Sequence, residues 1–520
     1  MSSRTRTEQQ RTKRGGRLQR AGFRFLNGVE KVGNLLPHPF ILFVFLAFVV
    51  VVISAVAAWA GAEVTNPMTD ETTPVKSLAT AEGVAFMLTS MLDNFLSFPP
   101  LGLVVVLLLG LGLANESGFL KTALRAAMAR VRHPRLITFM VILIGIISNI
   151  ASESAAIVVP PLAALLFLSA GRHPIAGLAA GFGAVGAGFS ANIIIAGTDV
   201  LLSGISTSAA AIVDESAVVT PVSNWYFMSA STIVLTVIGV LVTERIVEPR
   251  LGAYDGEAPP DADTAPVTDL EKKGLRNAGI AFLVFVVLAA LLIVPEGGIL
   301  RGEDGSVIPS PFMSSIVPLL FLMFVLVGTV YGKTVGTISS INDIPRLMVA
   351  SARDLGNLLV LIFAVAQAIA YFSWSNLGLW FAVLGAEVLT GLNIGPIGSL
   401  VIVSLVSLLF GLVISSGSAQ WSLMAPVVIP MLMITGVDPA YTQLAFRIAD
   451  SSVNMLVPLS PILAIALGYI QQYNRKAGIG TVFALMIPYA VAFYISWIIL
   501  FVIWISLGIP IGPGESLSIG

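Results

Sequence analysis

The chain has 520 residues, 56% of them hydrophobic and 11% charged, where soluble domains carry roughly 25% charged residues. A soluble domain is excluded, and a formal net charge of −1 carries no signal for a strongly charged partner such as nucleic acid. The absence of cysteine excludes disulfides, thiolate metal sites and cysteine nucleophiles, while the three histidines, His38, His133 and His173, all fall at predicted membrane edges, where they build neither a proton relay nor a metal site.

Residues 1–36 hold Arg4, Arg6, Arg11, Lys13, Arg14, Arg17, Arg20 and Arg24, too long and basic a stretch for a cleaved signal peptide. They are read as a cytoplasmic tail with a surface helix from about Leu18 to Leu35, its basic face on the lipid bilayer. The first half, 37–243, opens with a span from Phe40 to Ala60, a polar segment with Asp70 and Glu71, and a second span from Leu101 to Ala114. Lys121, Arg125, Arg130, Arg132 and Arg135 place the next turn inside.

Residues 136–170 then break the pattern. Leu136 to Ile147 and Ala155 to Ala170 flank the polar Ser148-Asn149-Ile150-Ala151-Ser152-Glu153-Ser154, and each flank is shorter than the roughly 20 helical residues that a hydrocarbon core requires. Basic residues at both ends, closing with Arg172 and His173, predict a re-entrant hairpin dipping from the cytoplasm. Ile175 to Ile195 goes out with a break at Asn192, the chain passes Asp199, Asp214 and Glu215, and Phe227 to Val242 returns inside. A Pro/Asp/Lys-rich linker, 244–276, is expected to be flexible.

The second half, 277–509, repeats the plan. Ala278 to Val294 goes out, Pro311 to Val330 comes back to Lys333, Arg346 and Arg353, and Leu358 to Phe372 goes out again. The hairpin 395–435 dips from outside, with Ser415-Ser416-Gly417-Ser418-Ala419-Gln420-Trp421 between Val401–Ile414 and Leu423–Thr435. Tyr441 to Ile470 comes in with a break at Asn454, Phe483 to Leu507 goes out, and 510–520 is a periplasmic tail. The expected fold is an all-α polytopic membrane protein of about nine transmembrane helices plus two re-entrant hairpins in an inverted repeat. Of 28 Lys and Arg, this topology leaves only Lys76 and Arg301 outside and Arg447 within a span. Turning either hairpin into a full crossing destroys that asymmetry.

Unpaired backbone at mid-membrane survives only beside protein or an aqueous cavity, which is where secondary transporters hold cargo and coupling ions. Four ionisable residues fall within the predicted core: Glu153, Asp199, Arg447 and Asp450. Arg447 and Asp450 share a helix face and can pair, either as a structural tie or as a proton or cation site tuned by the arginine. Asp199 is either a functional group beside the broken helix or a boundary carboxylate, and Glu153 either a site residue or a cap on its own turn. Ser148, Asn149, Asn192, Ser416, Ser418 and Asn454 offer neutral oxygens suited to Na⁺, or else satisfy their own turns. Trp421 is read as a stacking surface for an aromatic substrate or as an interfacial anchor, and Pro439 and Pro458 as fixed backbone breaks.

These stretches resemble the AbgT family of p-aminobenzoyl-glutamate transporters. The resemblance rests on the Ser415 to Pro430 hairpin, DPAYTQLAFRIADSSVNMLVPLSP from Asp438, SNIASESAAIVVPPL from Ser148 and GFSANIIIAGTD ending at Asp199. It implies a homodimer of nine-span subunits and a substrate pathway at Asp199, Ser418, Trp421, Pro439, Arg447, Asp450 and Pro458. It also implies H⁺- or Na⁺-driven movement of a small aromatic carboxylate or export of sulfonamide-type drugs, with no cofactor beyond a bound Na⁺, in the inner membrane of a bacterium. The alternatives are a Na⁺-coupled dicarboxylate symporter of the wider divalent-anion group, an intramembrane hydrolase, and a passive channel. The hydrolase reading has no GxGD, HExxH or Ser/His pairing to support it.

Overall fold

The computed structural model describes residues 37–518, apart from 68–69, 131–132, 134–135, 152, 255, 257–266, 309, 415 and 458–460. The basic tail 1–36 and Pro458 therefore lie outside the described residues. Seven described helices are long and apolar enough to cross a membrane. They are α1 (Pro39–Trp59), α2 (Pro99–Glu116), α8 (Trp225–Val242), α9 (Asp269–Leu291), α10 (Pro311–Val335), α14 (Gly417–Ile434) and α17 (Ile479–Ser506). Between them run α3 (Phe119–Ala129), α4 (Ile137–Ile147), α5 (Glu153–Ser169), α6 (Pro174–Gly188) and α7 (Gly197–Ala210) in the first half. The second half adds α11 (Asp343–Trp374), α12 (Leu377–Gly391), α13 (Pro396–Gly411), α15 (Pro439–Val453) and α16 (Pro461–Tyr473). The polar segment after α1 forms a small antiparallel ribbon, Glu63–Thr65 against Thr72–Pro74. The protein is thus a mostly helical, multi-pass membrane protein.

Two elements depart from the sequence reading. The linker expected to begin at Glu244 stays helical to Leu251, through a π-turn over Thr243–Val247, because Glu244 and Glu248 are both held by Arg172 at the end of α5. Residues 269–276 are likewise helical, as the start of α9, capped by Thr268 with Glu271 reaching back to the Thr268 amide. And α12, which the sequence reading passed over, is a separate apolar helix bent 72° from α11 at Ser375 and Asn376, whose left-handed φ of 60° turns the chain.

Connecting segments sort into two groups, one at each end of the helices. Arg125 pairs with Glu271, Tyr331 donates to Thr122 and Arg250 to the Ala484 carbonyl, all among segments that the charge rule assigns inside. Asn376 donates to the Pro74 carbonyl, Trp225 to that of Ile193, and the amides of Phe227 and Asp438 to those of Ile511 and Leu517. These segments are all assigned outside.

The first interrupted segment closes on itself. Arg172, just past α5, donates to the hydroxyl of Thr138, the second residue of α4, at 2.6 Å. Its two ends therefore meet within the inner group. Around the second, Gly391 and Thr435 line one open cleft with Glu63 and Asp70 in the outer group. Its return leg α14 has 18 residues, longer than expected, because Ser416 caps a helix that already includes Gly417 to Trp421. The Gly/Ala-rich α6 packs closely against both legs of the first hairpin. A Cβ on Gly188 would collide with the Ile146 carbonyl.

The chain after α17 returns as a strap across the outer ends of α8 and α15, bridging Val437 to Ser518. Here Glu515 hydrogen-bonds Asp438, the cap of α15, and Ser223. Burial pushes Asp438 up to about 6 and Glu515 up to about 7, the neighbouring carboxyl adding to the rise at Glu515. Both acids ionise near pH 4 in an unfolded chain, so the folded strap binds more protons from about pH 4 to pH 7 and loses stability as pH rises through that window. Hydrogen exchange in residues 509–518, corrected for intrinsic rate, is expected to quicken between pH 5.5 and 8, and Glu515→Gln to flatten the change.

Candidate functional site

Every residue of α15 is buried, an unusual environment for PAYTQLAFRIADSSV. Gln443, Arg447 and Asp450 follow one another at helical spacing and form a polar stripe along it. Arg447 is 1% exposed and Asp450 5%, so each needs a partner or a neutralising ion.

The arginine finds its partner in the other half of the chain. Its NH2 lies 2.5 Å from Asp199 Oδ1 and also donates to the Ser190 carbonyl at 3.3 Å. Asp199 sits in the first turn of α7, where Oδ2 accepts the Ala196 amide at 2.7 Å and the Asn192 amide group at 3.1 Å. Both carboxylate oxygens are thus satisfied, and the broken end of α6 is tied to α7 through Asn192 and to α15 through the Ser190 carbonyl. The Arg447–Asp450 pair allowed by helical spacing does not form. The guanidinium reaches across to the first half instead, because Ser190, Asp199 and Asn224 together offer it three acceptors.

Among the described residues, Asp450 has no ion-pair partner. Its Oδ2 has no hydrogen-bond partner among the described residues. It faces the tip of the second hairpin, where a Cβ on Gly417 would stand 2.6 Å from that oxygen, so a larger residue there would push the carboxylate aside. A buried carboxylate is costly unless it is paired or neutralised.

Trp421, on the first turns of α14, is fully buried. Its ring stacks on Phe446 at 4.6 Å and its Nε1 donates to Ser206 Oγ at 2.9 Å, so in this state that face of the indole is occupied. Pro439 is the first residue of α15, following the Asp438 cap. Ser418 pairs with Ser416, which caps α14. Ser148 bonds the Gly145 carbonyl and Asn149 the Phe189 carbonyl, which ties the first hairpin's tip to the end of α6. Asn192 serves Asp199, while Asn454 lines a mostly apolar cavity with Phe182, Met455 and Met486. The six residues whose oxygens were read as suited to Na⁺ are therefore spread over several local roles. No cluster of three or more acidic or histidine ligands occurs among the described residues. Glu153 begins α5, with its side chain outside the described set.

Sequence reasoning missed Asn224, Gln443 and Ser206. Gln443 is four residues before Arg447 and Ser206 seven after Asp199, so both lie on the faces of helices already singled out and helical spacing would have found them. Asn224, in the turn before α8, carried no such signal.

Two interrupted apolar segments, two broken helices and a buried ion pair that joins the halves define a multi-pass membrane transporter. Comparison with known proteins agrees. The family model of the AbgT putative transporter family matches residues 24–519. The p-aminobenzoyl-glutamate transport protein of Escherichia coli (strain K12) is 42% identical over 487 residues, 94% of this chain and 95% of that protein. The solved MtrF of Neisseria gonorrhoeae, described among a class of antimetabolite efflux pumps, superposes with TM-score 0.89 at 41% identity, covering 94% of this chain and all of that one. The YdaH transporter of Alcanivorax borkumensis, described as having an unusual topology, gives TM-score 0.87 at 37% identity, covering 92% and 100%. The chain belongs to the AbgT family of transporters.

Proposed function

We propose that this protein is an ion-gradient-coupled secondary transporter of a bacterial inner membrane, acting as a homodimer. Its cargo is a small aromatic carboxylate of the p-aminobenzoyl-glutamate kind, a sulfonamide-type antimetabolite, or both. The supporting observation is the contrast between two buried carboxylates. Asp199 is neutralised by Arg447 across the two halves, while Asp450, three residues from the same arginine, has no ion pair among the described residues at the second hairpin's tip. An unpaired carboxylate beside an arginine that can change partners gives a means of coupling an ion to an anion: the ion neutralises Asp450, and the substrate carboxylate competes for Arg447. The cargo class is taken from the relatives, since the stacked face of Trp421 is covered by Phe446 here.

Purified protein in sealed liposomes, with Na⁺ and proton gradients imposed separately, tests the reading. Labelled p-aminobenzoyl-glutamate or a sulfonamide is expected to move against its gradient under one of the two. Competition by succinate but not by p-aminobenzoyl-glutamate would instead favour a dicarboxylate symporter. Flux linear in substrate and indifferent to both gradients would mean a channel.

A further inference from the structure

We infer that Asn224 and Gln443 are positioning residues that decide which carboxylate Arg447 serves, holding the guanidinium on Asp199 and so keeping Asp450 open for the coupling ion. The inference rests on the coupled-transport reading and adds to it the residues that set ion affinity.

Arg447 has two carboxylates to choose from. Asp450 is on the same helix at a spacing that ordinarily pairs; Asp199 is on another helix in the other half. The arginine takes the distant one, and two buried amides accompany that choice. Asn224 Oδ1 lies 3.5 Å from NH1, long enough that it directs the guanidinium while Asp199 supplies most of the attraction.

The amides are locked in the orientation this needs. Asn224 Nδ2 donates to the Ala440 carbonyl at 2.9 Å, which turns Oδ1 toward the arginine. Gln443 Nε2 donates to that same Oδ1 at 2.8 Å. Gln443 Oε1 then accepts from Ser206 Oγ at 2.7 Å, and Ser206 accepts from Trp421 Nε1. Asn224 and Gln443 are 1% exposed and Ser206 is fully buried, so water offers none of them an alternative.

The chain of bonds therefore runs from the second hairpin, through Ser206 and Gln443, to the arginine. The same hairpin carries Gly417, against Asp450. A shift of the hairpin acts at once on Arg447's support and on the walls around Asp450. The charged residues buried in this core, among those described, are Asp199, Arg447 and Asp450; the remaining buried one, Asp343, caps the distant start of α11 through Ser339 and Ser340.

Two variants with opposite expected signs provide the test. Gln443→Leu removes the donor that pins Asn224, freeing Arg447 to turn to Asp450 and compete with the ion. Asn224→Asp gives up the bond from Nδ2 to the Ala440 carbonyl but places a second carboxylate beside NH1, and the stronger charge-assisted attraction holds the arginine where it is. In proteoliposomes at saturating substrate, the half-saturating concentration of whichever ion drives flux is measured beside the substrate KM. Gln443→Leu is expected to raise that concentration about tenfold, the effect of one close charge, and Asn224→Asp to lower it. Substrate KM should change less than the ion term in both. General damage to packing would shift both variants the same way. Equal-sign shifts, or lower flux with unchanged ion dependence, would overturn the inference. Should Gln443→Leu fail to fold, Asn224→Asp decides alone, a wild-type or higher ion requirement counting against it. Wild-type flux indifferent to both ions would instead overturn the coupled-transport reading, and this inference with it.

Discussion

Asp450→Asn protein is expected to fold, to remain monodisperse in detergent, and to show no gradient-driven accumulation of substrate. Asparagine has nearly the shape of aspartate, so the contact with Gly417 survives while the ionisable group is lost. An ionisable side chain at this depth costs roughly 2.5–3.5 kcal/mol on insertion scales. Among the described residues, none gives Asp450 an ion pair in return. Removing it should leave thermal stability equal to wild type or higher. The check is a melting curve alongside flux in sealed liposomes, and coupled flux at the wild-type rate in the variant would show that Asp450 does not carry the ion.

The second large effect is on stability. Arg447→Ala is expected to lower it by roughly 3–5 kcal/mol, the range seen when one member of a buried pair is removed and the other left charged. The stranded group here is Asp199, 4% exposed, together with the acceptors at Ser190 and Asn224. The pairing makes a sharper claim than the loss itself. Adding Asp199→Asn to Arg447→Ala should recover a large part of the stability, because the two residues are in contact and their effects are not additive. Adding Asp450→Asn instead should recover little. Denaturation in mild detergent, followed by tryptophan fluorescence, measures all four proteins. Rescue by Asp450→Asn rather than Asp199→Asn would place the arginine's partner on its own helix.

Much of this arrangement could be read in the sequence, for a physical reason. A bilayer imposes one length on every span, so two apolar runs interrupted at Ser148–Ser154 and Ser415–Trp421 stand out without reference to tertiary structure. Paucity of charge likewise made Asp199, Arg447 and Asp450 conspicuous. What the sequence could not supply was the partner choice. Spacing on α15 favours Arg447 with Asp450, and only the packing of α7 against α15 brings in Asp199. Trp421 shows the same limit, since its stacking on Phe446 is a contact between helices. The linker boundary and α12 were missed because a charged residue looks like an interruption until its salt bridge is known. Glu244 and Glu248 continue a helix since Arg172 neutralises them. Asn376 reads as a minor polar residue, yet its left-handed backbone makes the 72° bend.

The natural chain has no cysteine, so single cysteines can be introduced without removing any. Labelling from each side of the membrane with an impermeant maleimide, at His133 and His173 around the first hairpin and at Asn393 and Gly436 around the second, tests the inverted arrangement directly. His133→Cys and His173→Cys should both label only from the cytoplasm, and Asn393→Cys and Gly436→Cys only from outside. Members of either pair labelling from different sides would turn that segment into a crossing and leave the opposed hairpins without support.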